Sequence, residues 1–459
     1  MVKIPTRFED LLPPAALGKI LEVLNQPALS GAVRDALHRV GIKDASPVEQ
    51  VQEAWQQARD WAGQFANRMI NPVQANPQLI NASGELARAE WQGFPMAPSV
   101  AEAFGSQAVN FHYTLRLEEA AQKATTKLLH VDDALFTNSL TTAIQLIQSA
   151  FKRCAVSRAD TVRIPGFGDV GAMLSASHKV IDEVGATNGA TEEDWSRTVT
   201  SAEHAILLVS PNSLSHSDAE KQRVAAIKVA KATGAMVIEL LVDGVCAPNA
   251  PESTYQFPVA QQRLQSGASA IVLPLDGFLG GPAGACIAGD SKLIKSLRQN
   301  PAIQGGSLRG AALAGATAAL ERATASGIAL DTGVLDFVRV NIANLRDRAK
   351  RLALQVADSE YVVAAEVWDR TIPLGPSPWD RYSGPSVAIA LTPRKDAASL
   401  LATLQSGERG PSILCVIAAD KVLVDLKFVL PRDDHQIVKK LGALQSTPDA
   451  PPSAQLGSA

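Results

Sequence analysis

The first segment whose residue types and spacing could do chemistry is Gly166–Gly171, which reads G-F-G-D-V-G. Glycines at this G-x-G-x-x-G spacing let the backbone approach a pyrophosphate at the start of a helix. A dinucleotide site also needs a buried strand before the first glycine. Residues 160–165 make a poor buried strand, and Pro165 directly precedes that glycine. We therefore interpret the segment as a glycine-rich turn and keep dinucleotide binding as the alternative.

A second polar cluster, Thr137, Asn138 and Ser139, precedes an apolar helix predicted over residues 143–151. The free amides and the dipole of a helix start bind anions, phosphate among them. Asn138 or Ser139 could equally serve as an ordinary N-cap. The sequence leaves both interpretations open.

The remaining reactive residue types form no recognisable site. The histidines form no triad with serine or cysteine. Residues 279–284 contain glycines between two apolar runs. Such glycines let the backbone pass close to a ligand, or they form only a turn between strands. The four cysteines lie far apart, without zinc-ligand spacing. We predict reduced, mostly buried thiols and no metal site at Cys154, Cys246, Cys286 and Cys415.

Length and charge limit the classes of function. A chain of 459 residues suggests two or three domains, and its 46% hydrophobic content is typical of a globular protein. The net charge of −3 predicts no bulk attraction to nucleic acid or to anionic membranes. The sequence also lacks an apolar signal region and any stretch of about 18 apolar residues. We therefore predict a cytoplasmic protein with no membrane or DNA partner.

Hydrophobic periodicity divides the chain into parts. Residues 1–75 read as a helical N-terminal module, in which Ser46–Glu49 has the pattern of a capping box. Residues 76–325 alternate short apolar runs with helical segments such as Asp218–Thr233, which predicts a mostly parallel sheet covered by helices. This is an α/β domain. Its buried strands are predicted at Ala205–Val209, Ala235–Val242, Ser269–Leu275 and Ala283–Ala288.

Residues 326–445 predict a connecting helix and a small α+β domain. Apolar residues recur at helical spacing from Leu335 to Val356. A hairpin turn is predicted at Ala419–Lys421, and residues 446–459 are expected to be disordered. The predicted strands are Tyr361–Val367, Ser386–Leu391, Ile413–Ala418 and Val422–Val429, with a helix near Ala397–Leu404.

Several segments, taken in order, resemble the bacterial selenocysteine synthase, or L-seryl-tRNA(Sec) selenium transferase, family of fold type I pyridoxal-phosphate enzymes. Their order and spacing carry the resemblance more than any single motif. It implies a fold type I architecture, with a mostly parallel large sheet and a small α+β domain, and a homo-oligomer. The matching segments are Leu79–Gly84 (I-N-A-T-G), Val156–Arg158 (V-S-R), Glu183–Asn188 (E-V-G-T-T-N), Asp276–Gly284 (D-K-L-L-G-G-P-Q-A-G) and Val422–Pro431 (L-L-D-L-R-T-V-L-P).

The resemblance implies a reaction in which pyridoxal phosphate (PLP) eliminates water from serine held on tRNA and selenium is then added. It therefore implies a lysine that carries the cofactor, an acid at the pyridine nitrogen and cations for the phosphate-bearing donor. Aligned blocks put Gly277, directly after Asp276, at the lysine position. Because glycine has no amine, we predict no catalytic residue and expect PLP to bind noncovalently at best.

The rest of the implied cofactor frame is partly retained. Thr137, Asn138 and Ser139 resemble the cup for the cofactor phosphate, and Ser210 and Asn212 lie near the family's H-T-S-N strand end. Glu239 matches the acid after a one-residue slip, whereas the ungapped match is Leu240. The family's arginines are replaced near Gly189 and at Gln304–Ser307. A relocated lysine could be Lys292 or Lys295, although both fit a solvated helix face better.

Two hypotheses of function follow. The leading one is a divergent selenium transferase-like protein that lacks Schiff-base chemistry and acts as a binding or accessory protein. Its partner would be tRNA or a phosphate-bearing small molecule. The alternative is an active PLP-dependent transferase or lyase, with noncovalent PLP or a relocated lysine.

Overall fold

A computed structural model describes residues 79–88, 94–109, 113–176, 180–246, 257–324, 333–357, 359, 361–376, 382–407 and 410–443. The chain divides into two units, Met1–Pro77 and Gln78–Ala459, and every described residue belongs to the second. The predicted helical module and the predicted tail lie outside the described residues. The domain limits given above therefore stay predictions.

The described strands and helices follow the predicted alternation along the chain. The strands are β1 (Leu79–Asn81), β2 (Asp133–Thr137), β3 (Arg153–Ser157), β4 (Arg163–Ile164), β5 (Gly168–Asp169), β6 (Ile181–Val184), β7 (His204–Ser210), β8 (Met236–Leu241), β9 (Ala270–Pro274), β10 (Ala285–Gly289), β11 (Val362–Pro373), β12 (Ser383–Pro393), β13 (Ser412–Leu414), β14 (Val416–Ala418) and β15 (Lys421–Asp425). The α-helices are α1 (Pro98–Ala108), α2 (Thr114–Leu129), α3 (Leu140–Ala150), α4 (Val170–Ser175), α5 (Glu192–Thr198), α6 (His216–Thr233), α7 (Ala260–Gln265), α8 (Ser291–Arg298), α9 (Ile303–Gly306), α10 (Gly310–Thr324), α11 (Val334–Arg339), α12 (Ile342–Val356), α13 (Ala397–Gln405) and α14 (Asp434–Ala443).

Seven strands form one sheet, called the large sheet, in the order β2-β10-β9-β8-β7-β3-β6. Strand β10 runs antiparallel to both of its neighbours, and the other pairs are parallel. This confirms the predicted mostly parallel sheet. The four predicted buried runs are β7, β8, β9 and β10, each shifted by one or two residues at its ends.

Helices cover both faces of the large sheet because its strands are apolar on both sides. Leu207 and Val209 of β7 join a core with α3, α4 and α8, while Ile206 and Leu208 join a second core with α5 and α6. A third core packs α2 and α10 against β9 and β10. Side chains alternate between the two faces along a strand, so each buried run supplies two cores. All four cysteines are buried and free, as predicted.

The prediction of one long connecting helix from Leu335 to Val356 is wrong in one respect, because this segment forms two helices, α11 and α12. Asn341 is the N-cap of α12, and its side-chain oxygen accepts from the backbone amides of Ala343 (2.8 Å) and Asn344 (3.3 Å). The Nζ of buried Lys427 donates to the carbonyl oxygen of Val338 at 3.3 Å, near the end of α11. The Asn341 side chain thus satisfies backbone amides at the start of α12, and the Lys427 cation satisfies a carbonyl oxygen near the end of α11. These contacts account for the break.

Four strands form the antiparallel small sheet, in the order β11-β12-β15-β14, with α12, α13 and α14 contributing to its core. The predicted strand over residues 413–418 is wrong, because it divides into β13, which pairs with β1, and β14, which pairs with β15. The predicted strand over residues 422–429 ends at Asp425. The hairpin turn is confirmed: Ala419 and Asp420 have φ of 50° and 58°, as a two-residue type I′ connection requires.

The segment Gly166–Gly171 is a turn, as predicted. Strands β4 and β5 pair as a short antiparallel hairpin around Gly166, whose φ is 78°. Asp169 then caps α4 by accepting from the backbone amide of Ala172 at 2.8 Å. The glycines therefore serve a hairpin and do not open a βαβ unit.

Candidate cofactor site at the carboxyl edge of the large sheet

The predicted site residues come from strands that run in the same direction. Strands β2, β3, β7, β8 and β9 are mutually parallel, so their carboxyl ends lie along one edge of the large sheet. Thr137 ends β2, Ser210 ends β7, and Gly277 follows the end of β9 by three residues. Ligands of open α/β sheets bind at this edge.

Gly277 occupies a tight turn between β9 and β10. The backbone amide of Gly280 donates to the carbonyl oxygen of Gly277 at 2.9 Å, and that of Gly281 donates to Leu275 at 2.8 Å. A Cβ at position 277 would lie 3.1 Å from Pro274 Cγ and 3.2 Å from Pro274 O. These distances are shorter than ordinary carbon contacts. A side chain at position 277 would therefore require Pro274 to shift by a few tenths of an ångström.

Asp276 is the carboxylate next to this glycine. Its main-chain oxygen accepts from the backbone amide of Phe94 at 2.7 Å. Burial raises the pKa of the Asp276 carboxyl to about 6, because removal from water disfavours its charged form. Such a group exchanges a proton near neutral pH.

The polar groups of Thr137, Asn138 and Ser139, at the start of α3, already make hydrogen bonds within the protein. The Ser139 hydroxyl oxygen accepts from the backbone amide of Thr142 at 3.1 Å, so Ser139 is the N-cap. The backbone amide of Asn138 donates to Gly306 O at 2.8 Å, and its Nδ2 donates to Gly305 O at 3.1 Å. The Thr137 hydroxyl donates to Ser139 O at 2.9 Å. Phosphate binding by these residues stays a prediction.

Ser210, Asn212 and Glu239 line a single pocket at the ends of β7 and β8. The pocket is small, about 30 Å³, which is room for one or two waters. Arg223 of α6 and Tyr382, which precedes β12, also line it. The structure thus brings together three of the six predicted cofactor residues and places the other three at β2 and α3.

Glu239 lies in the middle of β8, paired with Leu208 and Ile271, and is only 3% exposed. Its Oε1 accepts from Arg223 Nε at 2.8 Å, and its Oε2 lies 3.8 Å from Arg263 Nε. Burial raises the pKa of the Glu239 carboxyl, and the two arginines oppose that rise. Its assignment as the cofactor acid stays a prediction.

Asp243 is a carboxylate that sequence reasoning missed. It follows the end of β8 by two residues and is 0% exposed. Its Oδ2 accepts from the Tyr382 hydroxyl at 2.6 Å and from the Ser210 hydroxyl at 3.1 Å. The sequence did contain a signal that could have identified it: an aspartate followed by glycine directly after a buried apolar run. The ungapped comparison with the family motif did not select this aspartate.

Asp160 is a second carboxylate that sequence reasoning missed. It is fully buried, and it accepts from the Val209 backbone amide (3.1 Å), from Asn212 Nδ2 (2.9 Å) and from Gln222 Nε2 (3.0 Å). Gln222 Oε1 in turn accepts from the Ser157 hydroxyl at 2.8 Å. This buried network fixes the loop that carries Asn212, and no pattern in the sequence indicated it.

An aromatic cluster lies beside the turn that holds Gly277. Phe278 contacts Phe94 and Phe257, with ring centroids 5.7 Å and 4.8 Å apart. Phe257 contacts Tyr382 at 4.5 Å, and Phe167 of the glycine hairpin meets Phe94 at 5.5 Å. These rings join the large-sheet edge to the segment before β12. The cluster gives the glycine hairpin a structural role.

Two segments that resemble the family's motifs, Leu79–Gly84 and Val422–Pro431, are far apart in the sequence but lie in contact in the structure. The backbone amide of Asp425 donates to Ala82 O at 2.8 Å, and Gly84, with φ of 81°, lies against the Asp425 carboxylate. Arg370 Nη1 donates to Asp425 Oδ2 at 3.1 Å. Burial raises the pKa of the Asp425 carboxyl. The contact explains why a glycine stands at position 84.

The residues at this edge fit PLP poorly. Position 277 offers no amine, and the backbone and side-chain N–H groups of Asn138 already donate to Gly306 and Gly305 of α9. Lys292 and Lys295 are exposed on α8, as their solvated-face interpretation predicted. In the described ranges, no three His, Cys, Asp or Glu side chains group as a metal site requires. Among the helices described, none is long and apolar enough to cross a membrane.

The family model and the curated relatives that match this chain carry the same family name. The model of the family described as SelA, L-seryl-tRNA selenium transferase, matches residues 113–430. The L-seryl-tRNA(Sec) selenium transferase of Hyphomonas neptunium is 26% identical over 94% of this chain and 96% of its own length. That of Solidesulfovibrio magneticus is 26% identical over 49% of this chain and 51% of its own length.

Solved structures agree on the fold. D-glucosaminate-6-phosphate ammonia-lyase superimposes with a TM-score of 0.56 at 15% identity, over 82% of this chain and 97% of the lyase. A serine palmitoyltransferase solved with a PLP internal aldimine gives a TM-score of 0.43 at 14% identity, over 80% of this chain and 87% of its own. The mixed α/β architecture with a mostly parallel central sheet is thus confirmed as a fold shared with the ammonia-lyase.

Proposed function

Because the chain belongs to the L-seryl-tRNA selenium transferase family, we propose that it is a divergent member without Schiff-base chemistry. It acts as a binding or accessory protein. The observation that carries the proposal is Gly277, which stands at the lysine position implied by the family resemblance and has no amine.

A further observation supports the loss of the covalent step. The lysines considered as replacements, Lys292 and Lys295, are exposed on α8. When bound, PLP would supply an electron-withdrawing ring and an aldehyde. The residues of this chain would only bind and orient it.

The partner we propose is the tRNA named in the relatives' activity, or a phosphate-bearing small molecule. Ser139 and the start of α3 are the proposed phosphate-binding element, since Leu140 and Thr141 begin a helix of 11 residues. We also propose that the protein is cytoplasmic and forms a homo-oligomer, in line with the family resemblance.

The covalent step is tested by incubating the purified chain with PLP, reducing with borohydride and mapping peptides by mass spectrometry. We expect no phosphopyridoxyl-lysine, since the site turn has no amine. Serine palmitoyltransferase treated in parallel is the positive control, and Gly277→Lys tests whether the turn accepts an amine. A stoichiometric lysine adduct in the wild-type chain would contradict the proposal and favour the active-enzyme alternative.

RNA binding is tested by a gel-shift assay with bulk tRNA at increasing salt. Binding through phosphates weakens steeply with salt because counterions are released on binding. We expect a salt-sensitive shift. No shift at low salt would remove the tRNA partner and leave the phosphorylated small molecule, which a thermal-shift titration with inorganic phosphate would then examine.

A further inference from the structure

Strand β11 has 12 residues and lies at one edge of the small sheet, where it pairs with β12 alone among the described strands. Its outer edge therefore presents backbone N–H and C=O groups that another strand can bind. Only Val362 and Ile372 of this strand are buried, and Val363 is 59% exposed. The edge strands β14, β6 and β2 are far shorter, with three, four and five residues.

The outer edge of β11 lacks the usual protection against pairing with another chain. Proteins commonly protect an exposed edge with prolines, lysines or a very short strand. Between Val362 and Ile372 this strand contains neither a proline nor a lysine. Its pairing with β12 is irregular only between Val362 and Ala364, and it is continuous from Ala364 to Pro373. This part of β11 is therefore a regular edge that a further strand could extend.

The charged side chains of β11 already have partners within the chain. Their ion pairs are Glu366 with Lys421 at 2.8 Å, Asp369 with Arg346 at 2.8 Å and Arg370 with Asp425 at 3.1 Å. Because the strand carries both signs of charge, an incoming strand can place an opposite charge across from each. The charges therefore select a register and do not exclude a partner.

Trp368 lies between the charged residues on the outer face of the small sheet. Its ring packs against a small apolar cluster on that face, formed by Ala388, Ala390 and Leu423. Its Nε1 donates to Glu366 Oε2 at 3.2 Å, so Trp368 and Glu366 share this face. Side chains alternate along a strand, which places Arg370 there as well.

A second copy of β11 can pair with the first in a register that matches these charges. In an antiparallel pair with a two-fold axis at Trp368, Glu366 lies opposite the partner's Arg370, and the reverse contact follows by symmetry. Asp369 then lies opposite the partner's Val367, so no like charges face each other. An axis at Glu366, Asp369 or Arg370 would instead place identical charges directly opposite, which is destabilising.

We propose that β11 is an interface between two copies of this chain, in which the two strands pair antiparallel about a two-fold axis at Trp368. The two small sheets then form one continuous sheet, joined by backbone hydrogen bonds along the shared edge. Two Glu366–Arg370 pairs and one pair of tryptophans add cross-strand contacts that stabilise it. This inference rests on the homo-oligomer of the proposed function, because it names one interface of that oligomer.

Analytical ultracentrifugation of the full chain tests the charge match. Glu366→Lys puts a lysine opposite the partner's Arg370 twice in each pair and should raise the dissociation constant about tenfold or more. Arg370→Glu should have the same effect, because two glutamates then face each other. An equimolar mixture of the two variants restores opposite charges at both positions and should associate about as tightly as the wild type. This rescue depends on the proposed register.

Glu193→Lys is the matched control, because Glu193 is an exposed glutamate in an ion pair on α5, away from the small sheet. It should leave the mass of the oligomer unchanged. A wild-type chain that does not self-associate would overturn the interface, and so would Glu366→Lys with wild-type affinity, whatever else binds this edge. In the latter case the homo-oligomer of the proposed function would stand while this inference fails.

A cross-link provides a second test if Arg370→Glu does not fold after the loss of the cation beside Asp425. Trp368→Cys places two thiols across the two-fold axis, and oxidation by copper–phenanthroline in air should join two chains through one disulfide. Ile417→Cys, on the opposite edge strand β14, is the control and should stay unlinked. The four native cysteines are buried. A folded Trp368→Cys that forms no cross-linked dimer would overturn the proposal.

Discussion

The carboxylate of Asp160 accepts the side-chain amide of Asn212 at 2.9 Å, and this contact fixes the loop that follows β7. The same carboxylate accepts from Val209 and Gln222, so three donors converge on one buried group. Asn212, predicted as a cofactor ligand, thus has a structural partner in the short turn that follows β3.

We expect Asp160→Asn to lower the free energy of unfolding by about 2–3 kcal/mol, because the new amide N–H₂ would face a donor and leave it unsatisfied. Denaturant unfolding of the variant measures the loss. Asp169→Asn is the control, since Asp169 caps α4 at the surface and asparagine caps equally well. Equal stability of the two variants would argue against a buried network at Asp160.

Arg223→Met should destabilise the protein by about 3 kcal/mol, because it leaves Glu239 buried with only the more distant Arg263. The double variant Arg223→Met, Glu239→Leu should recover most of that loss, since an apolar pair needs no compensation. Arg197→Met provides a control, because its ion pair with Glu193 is exposed and worth little. A double variant no more stable than Arg223→Met would exclude this explanation.

The pKa of Asp276, raised by burial to about 6, predicts a pH-dependent stability. The folded state binds this proton more tightly than the unfolded state, so the free energy of unfolding should fall as pH rises from about 4 to about 6 and then level off. Asp276→Asn should therefore raise stability at pH 7, by at most about 3 kcal/mol, and leave it unchanged near pH 4.

Thermal melts at the two pH values check this result. Asp420→Asn, in the exposed hairpin turn, is the matched control and should show no such difference. If Asp276→Asn gains the same stability at both pH values, proton binding at Asp276 is not the cause.

The sequence predicted the main features of the fold because local patterns are sufficient for them. The apolar runs at β7, β8 and β9 marked buried strands, and the Ala419–Asp420 turn marked a hairpin. The break at Asn341 was missed, because α11 and α12 keep one apolar periodicity across it. The division of residues 413–418 was also missed, because only pairing with β1 or with β15 separates the two halves.

By itself, the sequence determined what position 277 lacks, since a glycine has no amine in any fold, and it determined the residue types at the starts of helices. Only the tertiary structure decided which carboxylates meet which partners. Asp243 meets Tyr382 across 139 residues of chain, and Asp160 meets Asn212 across 52. Such contacts depend on strand order and on the packing of the two sheets, and no local spacing records either.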